Sequence, residues 1–165
     1  MTCLYLPPVP ASVGAARRWA ASLLPDDVPD DVRDSVVLVL SELLTNAVTH
    51  ATGAPPRSSG AGAAGGGEDI EVEVVVDPGG GHVALAVTDP SDRPLPAAPA
   101  TVAAGADHGR GLLLLDALAQ DHGWTPRAEG GKCVWALFRR SRVPGRDVRG
   151  GVRGPAVVRA GCAGG

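Results

Sequence analysis

At 165 residues and 44% hydrophobic side chains, the chain can bury one core but not two good ones. Its net charge of -3 argues against a protein that binds nucleic acid directly, since such domains usually carry a basic surplus. No apolar run approaches the roughly 18 to 20 residues of a membrane span, and the opening MTCLYLPPVP does not resemble a signal peptide. We therefore expect a cytoplasmic protein with no membrane contact.

The first part of the chain is predicted to hold an edge strand, two helices and a loop. Apolar residues recur at helical spacing over 11–24, and a proline ends that segment. A second helix begins at Asp30 or Asp31, whose carboxylate can cap it, and continues to about Ala51. The segment 52–67 is rich in glycine and has no periodicity, so it is expected to form a flexible loop.

Two alternating segments, 70–77 and 82–89, are the clearest strands in the sequence. They read IEVEVVVD and HVALAVTD, and the glycine-rich turn between them predicts an antiparallel hairpin. The next stretch, 90–108, contains four prolines and cannot form a regular helix throughout. Long loops inside compact domains are often functional, so this one is interpreted as a lid.

A third helix and a second hairpin are predicted beyond the lid. The helix is expected to begin at about Gly109, to continue through LLLLDALAQ and to end near Gly123, because glycine commonly follows a helix. Residues 124–128 and 132–139 are then expected to pair around a turn of two glycines. The remaining segment, 141–165, has no pattern and is predicted to be a disordered tail.

Three polar residues of the second helix lie along one side of it. Glu42, Asn46 and His50 are spaced four residues apart, which directs a carboxylate and a carboxamide to one place. Oxygen atoms of these types suit Mg²⁺. Similar residues at a helix rim are more often simply solvated, so both interpretations stay open from the spacing alone.

Two further features are compatible with nucleotide binding. Asp89 is the last residue of an apolar strand. Its carboxylate could accept a hydrogen bond from the exocyclic amine of adenine, or it could simply cap a turn. Gly109, Arg110 and Gly111 stand where a loop becomes a helix, and free amides at a helix start attract phosphate. A bare G-x-G is weak evidence, and neither recognised phosphate-binding pattern fits the chain.

The order of four segments carries more information than any one of them. SELLTNAVTHA (41–51), VTDPSDRPLP (87–96), GRGLLLLDALAQDHGW (109–124) and GGKCVWALF (130–138) resemble the ATPase superfamily of gyrase, sensor histidine kinases and MutL. Within it, they most resemble the anti-sigma-factor serine/threonine kinases and their small stand-alone relatives.

This resemblance implies the fold. It predicts an α/β (α+β) two-layer sandwich of the Bergerat ATP-binding type, in which three helices cover one face of a mixed, largely antiparallel sheet. The similarity extends over about 4–140, so we expect one ATPase-like domain over 1–140, followed by the tail.

The resemblance also implies a site for ATP and Mg²⁺. Asn46 would bind the magnesium ion, Glu42 would act as general base, and Asp89 would contact adenine. The implied nucleotide-binding set is Asn46, Asp89, Ser91, Gly109, Arg110, Gly111, Leu112 and Cys133. Two positions depart from the family pattern: Ser91 stands in a turn that is often glycine-rich, and Cys133 stands where a threonine often lies on the adenine side. For Lys132, the only lysine, a nucleotide role is open but not favoured.

The function that the resemblance favours is ATP-dependent phosphorylation of a serine or threonine on a small protein partner. That partner would be an anti-sigma-factor antagonist, a sigma factor could be bound as well, and analogy suggests a homodimer. Two alternatives stay open: a catalytically silent module that senses ATP and switches partners, and an ATP hydrolase. Retention of Glu42 favours an enzyme, because a pure binding module has little need of a base.

Overall fold

The computed structural model describes residues 1–51, 69–79, 81–92, 110–128 and 130–140. Within these residues, five strands and three helices follow one another in the order β1, α1, α2, β2, β3, α3, β4, β5. The predicted glycine-rich loop, the tail and all but the first residues of the predicted lid lie outside this part of the chain.

A single sheet forms one layer and the helices form the other. The strands are β1 (Thr2–Leu6), β2 (Ile70–Val76), β3 (His82–Asp89), β4 (Asp121–Pro126) and β5 (Lys132–Arg139). The helices are α1 (Ala11–Leu23), α2 (Asp30–Ala51) and α3 (Arg110–Leu118). The strand order is β1-β2-β3-β5-β4. The predicted two-layer α+β sandwich is confirmed, but all four strand pairs among the described residues are antiparallel, so the sheet they form is not mixed.

Side chains along each strand point alternately to the two faces of the sheet. Val83, Leu85 and Val87 of β3 lie in the main core with the helices, whereas Ala84 and Ala86 belong to a smaller cluster on the other face. Helix α2 supplies much of the main core from Val36, Val39, Leu40, Leu43, Leu44, Ala47 and Val48. Each large side chain buried in this way contributes about 1.5–3 kcal/mol relative to exposure. The main core thus holds α2 against the sheet.

One arginine fixes the corner between α1 and α2. Arg33 Nη1 donates to the carbonyl oxygens of Ala21 at 3.0 Å and Leu24 at 3.2 Å. Its Nη2 donates to the carbonyl oxygen of Pro25 at 2.9 Å. The last carbonyl groups of a helix have no partner within it, so Arg33 supplies the donors that the end of α1 needs.

The boundary between α3 and β4 differs from the prediction. The helix stops at Leu118, and Gly123 lies inside β4, opposite Trp135 of β5. A Cβ atom at Gly123 would lie 2.8 Å from Cζ2 of Trp135, so the glycine makes room for the indole ring. Packing against a neighbouring strand, not helix termination, therefore explains this glycine.

None of the helices in the described part is long and apolar enough to cross a membrane.

Candidate functional site

Glu42 and Asn46 lie one turn apart on α2 and contact the first turn of α3. Both residues are half-buried. A Cβ atom at Gly111 would lie 3.0 Å from Asn46 Nδ2, 3.5 Å from Glu42 Cβ and 3.9 Å from Glu42 Oε2. Because Gly111 has no side chain, the start of α3 can approach the polar side of α2. The structure therefore brings these three predicted site residues together.

Other residues predicted around this point are placed as follows. Gly109 lies outside the described residues, and of Arg110 only the backbone, as the first residue of α3, is described. Leu112 packs at the edge of the main core. His50 is exposed near the end of α2, on the same side of the helix as Asn46.

The atoms around Asn46 fit a magnesium–phosphate group. Mg²⁺ commonly binds one or two protein oxygens together with substrate phosphates and waters. A carboxamide, a carboxylate and an adjoining helix N-terminus provide oxygen ligands and phosphate-binding amides. Within the described ranges no group of three or more His, Cys, Asp or Glu residues could hold a metal. A metal bound at Asn46 would take phosphate oxygens and waters as further ligands, as Mg²⁺ commonly does.

A buried ion pair lies where β3 ends and β5 begins. Asp89 and Lys132 are partners in the β3–β5 register, and Lys132 Nζ lies 3.0 Å from Asp89 Oδ1. Each side chain is only 5% exposed. Lys132 Nζ also donates to the carbonyl oxygen of Ser91 at 3.2 Å. The lysine thus bridges the strand end and the first residues of the lid.

The ion pair lies on the face of the sheet that the helices cover. Val87 and Val134, two residues from Asp89 and Lys132 along their strands, belong to the main core. Cys133 points to the other face and packs in the smaller cluster with Trp135. Because side chains alternate along a strand, it is Lys132 and not Cys133 that adjoins Asp89. The β5 side chain that adjoins Asp89 is therefore a cation.

The turn around Asp89 is tightly packed. Ser91, which is buried, donates its backbone N–H to Asp89 Oδ1 at 2.8 Å. Gly131 donates its N–H to Asp92 Oδ1 at 2.6 Å. The φ of Gly131 is +84°, and a Cβ there would lie 2.3 Å from the carbonyl oxygen of Asp89. Only glycine fits at position 131, because the start of β5 packs closely against the end of β3.

Lys132 and Asp92 both contribute to this turn, but the sequence did not favour a role for Lys132 and indicated none for Asp92. Lys132 carried a signal, because a lone lysine stands out in a chain whose basic residues are otherwise all arginine. Asp92 carried none, since an aspartate in a proline-rich loop is ordinary turn composition.

Residues 6–138 match the family model described as a histidine kinase-like ATPase domain. The matched span runs from the end of β1 into β5 and includes both groups of polar side chains. No curated protein matches the chain.

Proposed function

Because this chain belongs to the histidine kinase-like ATPase domain family, we propose that it is a regulatory serine/threonine protein kinase of the anti-sigma-factor type. It would bind ATP with Mg²⁺ and transfer the terminal phosphoryl group to a small protein partner. The observation that carries the proposal is the meeting of Glu42, Asn46 and Gly111 at the start of α3.

Each of these groups has a chemical task in the proposed reaction. The Asn46 amide oxygen would ligate Mg²⁺, and backbone N–H groups at the start of α3 would bind the phosphates. The Glu42 carboxylate would accept the proton of the partner's hydroxyl group while the oxygen of that hydroxyl group bonds to the γ-phosphorus and ADP leaves. A positioned base of this kind contributes about 10²- to 10⁴-fold in rate.

The other end of the nucleotide is proposed to lie at Asp89. An ionised carboxylate only accepts hydrogen bonds, so it suits the exocyclic amine of adenine. Its position on the helix-covered face supports this role, since the base and the phosphates would then contact the same layer of the molecule. Ser91 supports it through its backbone N–H, which holds Asp89 Oδ1.

The proposed partners follow from the family resemblance. An anti-sigma-factor antagonist would accept the phosphoryl group, and a sigma factor would be a bound target. ATP and such partners share the cytoplasm, where we propose that the protein acts. A homodimer rests on analogy of fold alone, and sedimentation of the purified chain tests it.

The kinase proposal is tested with labelled ATP and candidate partners. The wild type is expected to label a partner on serine or threonine. Glu42→Gln should lower that rate at least about 100-fold while nucleotide still binds. Asn46→Ala should abolish the magnesium-dependent part of the affinity in calorimetry.

Thr45→Ala is the matched control on the same helix. Thr45 is exposed, and its hydroxyl donates within α2 to the carbonyl oxygen of Ser41 at 2.7 Å. Its loss should change neither affinity nor labelling. Nucleotide-dependent partner binding without labelling would instead favour the partner-switching module, and release of phosphate without a protein acceptor would favour the hydrolase.

A further inference from the structure

Lys132 is a buried cation that the proposed kinase reaction does not use. Its side chain is 5% exposed, although burying an ammonium group is costly unless it is paired. It lies on the helix-covered face beside the residue proposed to contact the base. The charge is therefore placed in the part of the site that would distinguish one base from another.

The hydrogen bonds of Lys132 within the described part of the chain leave one of its donors available to a ligand. An ammonium group has three donors, and two of them go to Asp89 Oδ1 and the Ser91 carbonyl oxygen. Its third donor has no acceptor in the described part of the chain. Asp89 Oδ1 receives both Lys132 Nζ and the Ser91 N–H, so Oδ2 is the oxygen left to accept from a ligand. A donor and an acceptor thus stand side by side.

The geometry points to Lys132 as a specificity-determining residue that, together with Asp89, lets the site accept 6-oxopurine nucleoside triphosphates as well as ATP. With adenine, the exocyclic amine would donate to Asp89 and ring N1 would accept from Lys132. With a 6-oxopurine, O6 would accept from Lys132 and N1–H would donate to Asp89. This inference rests on the proposed nucleotide site.

A carboxylate alone would reject the second pattern. O6 of the base would then face the Asp89 carboxylate. Both groups are hydrogen-bond acceptors, so neither would find a donor, and burying both of them unsatisfied costs free energy. The ammonium group removes that obstacle because it offers O6 a charged donor. The sole lysine of the chain thus broadens the choice of purine.

The first test uses the wild type and needs no variant. Calorimetry with Mg²⁺ compares ATP with ITP, which has the 6-oxo group but no 2-amino group, and with GTP. We expect ITP and GTP to bind within about tenfold of ATP. ATP binding with ITP weaker by about 100-fold or more would overturn the inference and leave the proposed function standing. Failure of all three nucleotides to bind would overturn both.

The second test removes the ammonium group. Lys132→Met keeps the length of the side chain, and it should weaken ITP at least about tenfold more than ATP. A parallel loss of both nucleotides would mean that Lys132 is only structural. Since this variant leaves Asp89 without its cation, its folding is checked by thermal melting, and the wild-type comparison stands even where it does not fold.

Arg139→Met is the matched control. It removes one positive charge from the same strand at an exposed position, where Nε donates to Gln120 Oε1 at 3.2 Å. The ratio of ITP to ATP affinity should stay as in the wild type. A change in that ratio as large as for Lys132→Met would show an effect of net charge and would overturn the inference.

Discussion

Gly111 is a residue whose missing side chain is needed for contact between two helices. In Gly111→Ala the new Cβ would lie 3.0 Å from Asn46 Nδ2, which forces the proposed magnesium ligand to move. We expect nucleotide affinity to fall at least about tenfold in calorimetry. Stability should change by less than about 1 kcal/mol, because alanine favours a helix and offsets part of the strain.

Gly14→Ala provides the control for that substitution. Gly14 lies in α1, and among the described residues a Cβ there would meet only Arg18 Nη1, at an ordinary 3.5 Å. This variant should gain about 0.5 kcal/mol in the free energy of unfolding and bind nucleotide as the wild type does. Equal affinities for the two glycine variants would contradict the role given to Gly111.

Glu73 is a buried carboxylate whose charge opposes folding. It is 5% exposed, and its Oε1 has no hydrogen-bond partner in the described residues. Desolvation, followed by the nearby charge of Glu71, raises its pKa above the usual value. When pH rises from below that value, the unfolded chain releases its proton first, so stability falls until the folded carboxyl also ionises and then stays lower.

Glu73→Gln is therefore expected to stabilise the protein at neutral pH. The free energy of unfolding should rise at about pH 7, because the glutamine amide carries no charge to desolvate or to repel Glu71, and the gain should vanish near about pH 4, where the carboxyl group is protonated. Urea unfolding at both pH values measures it. Asp34→Asn, at an exposed position of α2, should show no comparable gain. A gain that persists unchanged at low pH would contradict the electrostatic explanation.

At the scale of elements, the end of α1 depends on Arg33. Three carbonyl oxygens at that corner accept from its guanidinium group. Arg33→Met should lower the free energy of unfolding by about 1.5–3 kcal/mol in urea titration, because it removes charged hydrogen bonds from partly buried carbonyls. Arg17→Met, at an exposed site on α1, should change it by less than about 0.5 kcal/mol. Equal effects would contradict the assignment.

The sequence predicted elements well where local patterns agree with their neighbours. Strand β3 was predicted at 82–89 and β5 at 132–139, as observed, because alternation and flanking glycines define both. The start of β4 was wrong by three residues, since the role of Gly123 depends on Trp135 in another strand. Local propensity cannot report such a contact.

The candidate site shows the same division. The spacing of Glu42 and Asn46 on one helix is readable from the sequence, and the turn at Gly111 was recognised by resemblance. The pairing of Asp89 with Lys132 was not readable, because it depends on the register of two strands separated by a loop and a helix. A one-residue difference in that register decides which side chain faces the core, and hence whether Lys132 or Cys133 adjoins Asp89.

At the scale of the whole molecule, a buried cationic residue lies at each end of β5. Lys132 begins the strand beside Asp89, and Arg140 follows its last residue. Eight residues of strand separate these ends by about 24 Å. The buried Arg140 bonds to the carbonyl oxygen of Asp77 and forms an ion pair with Asp27, so it ties the sheet to the α1–α2 connection.

Arg140→Ala should therefore separate stability from nucleotide binding. Its loss should cost about 1–2 kcal/mol in urea unfolding, most of it from the Asp77 carbonyl, because Asp27 is 74% exposed and its charge is screened by water. Purine affinity and selectivity should stay unchanged, since the site lies at the other end of the strand. Arg139→Ala, one residue earlier and exposed, should leave both quantities unchanged. If Arg140→Ala instead altered the ratio of ITP to ATP affinity in a folded protein, the two ends of β5 would be coupled, and the selectivity could not be assigned to Lys132 and Asp89 alone.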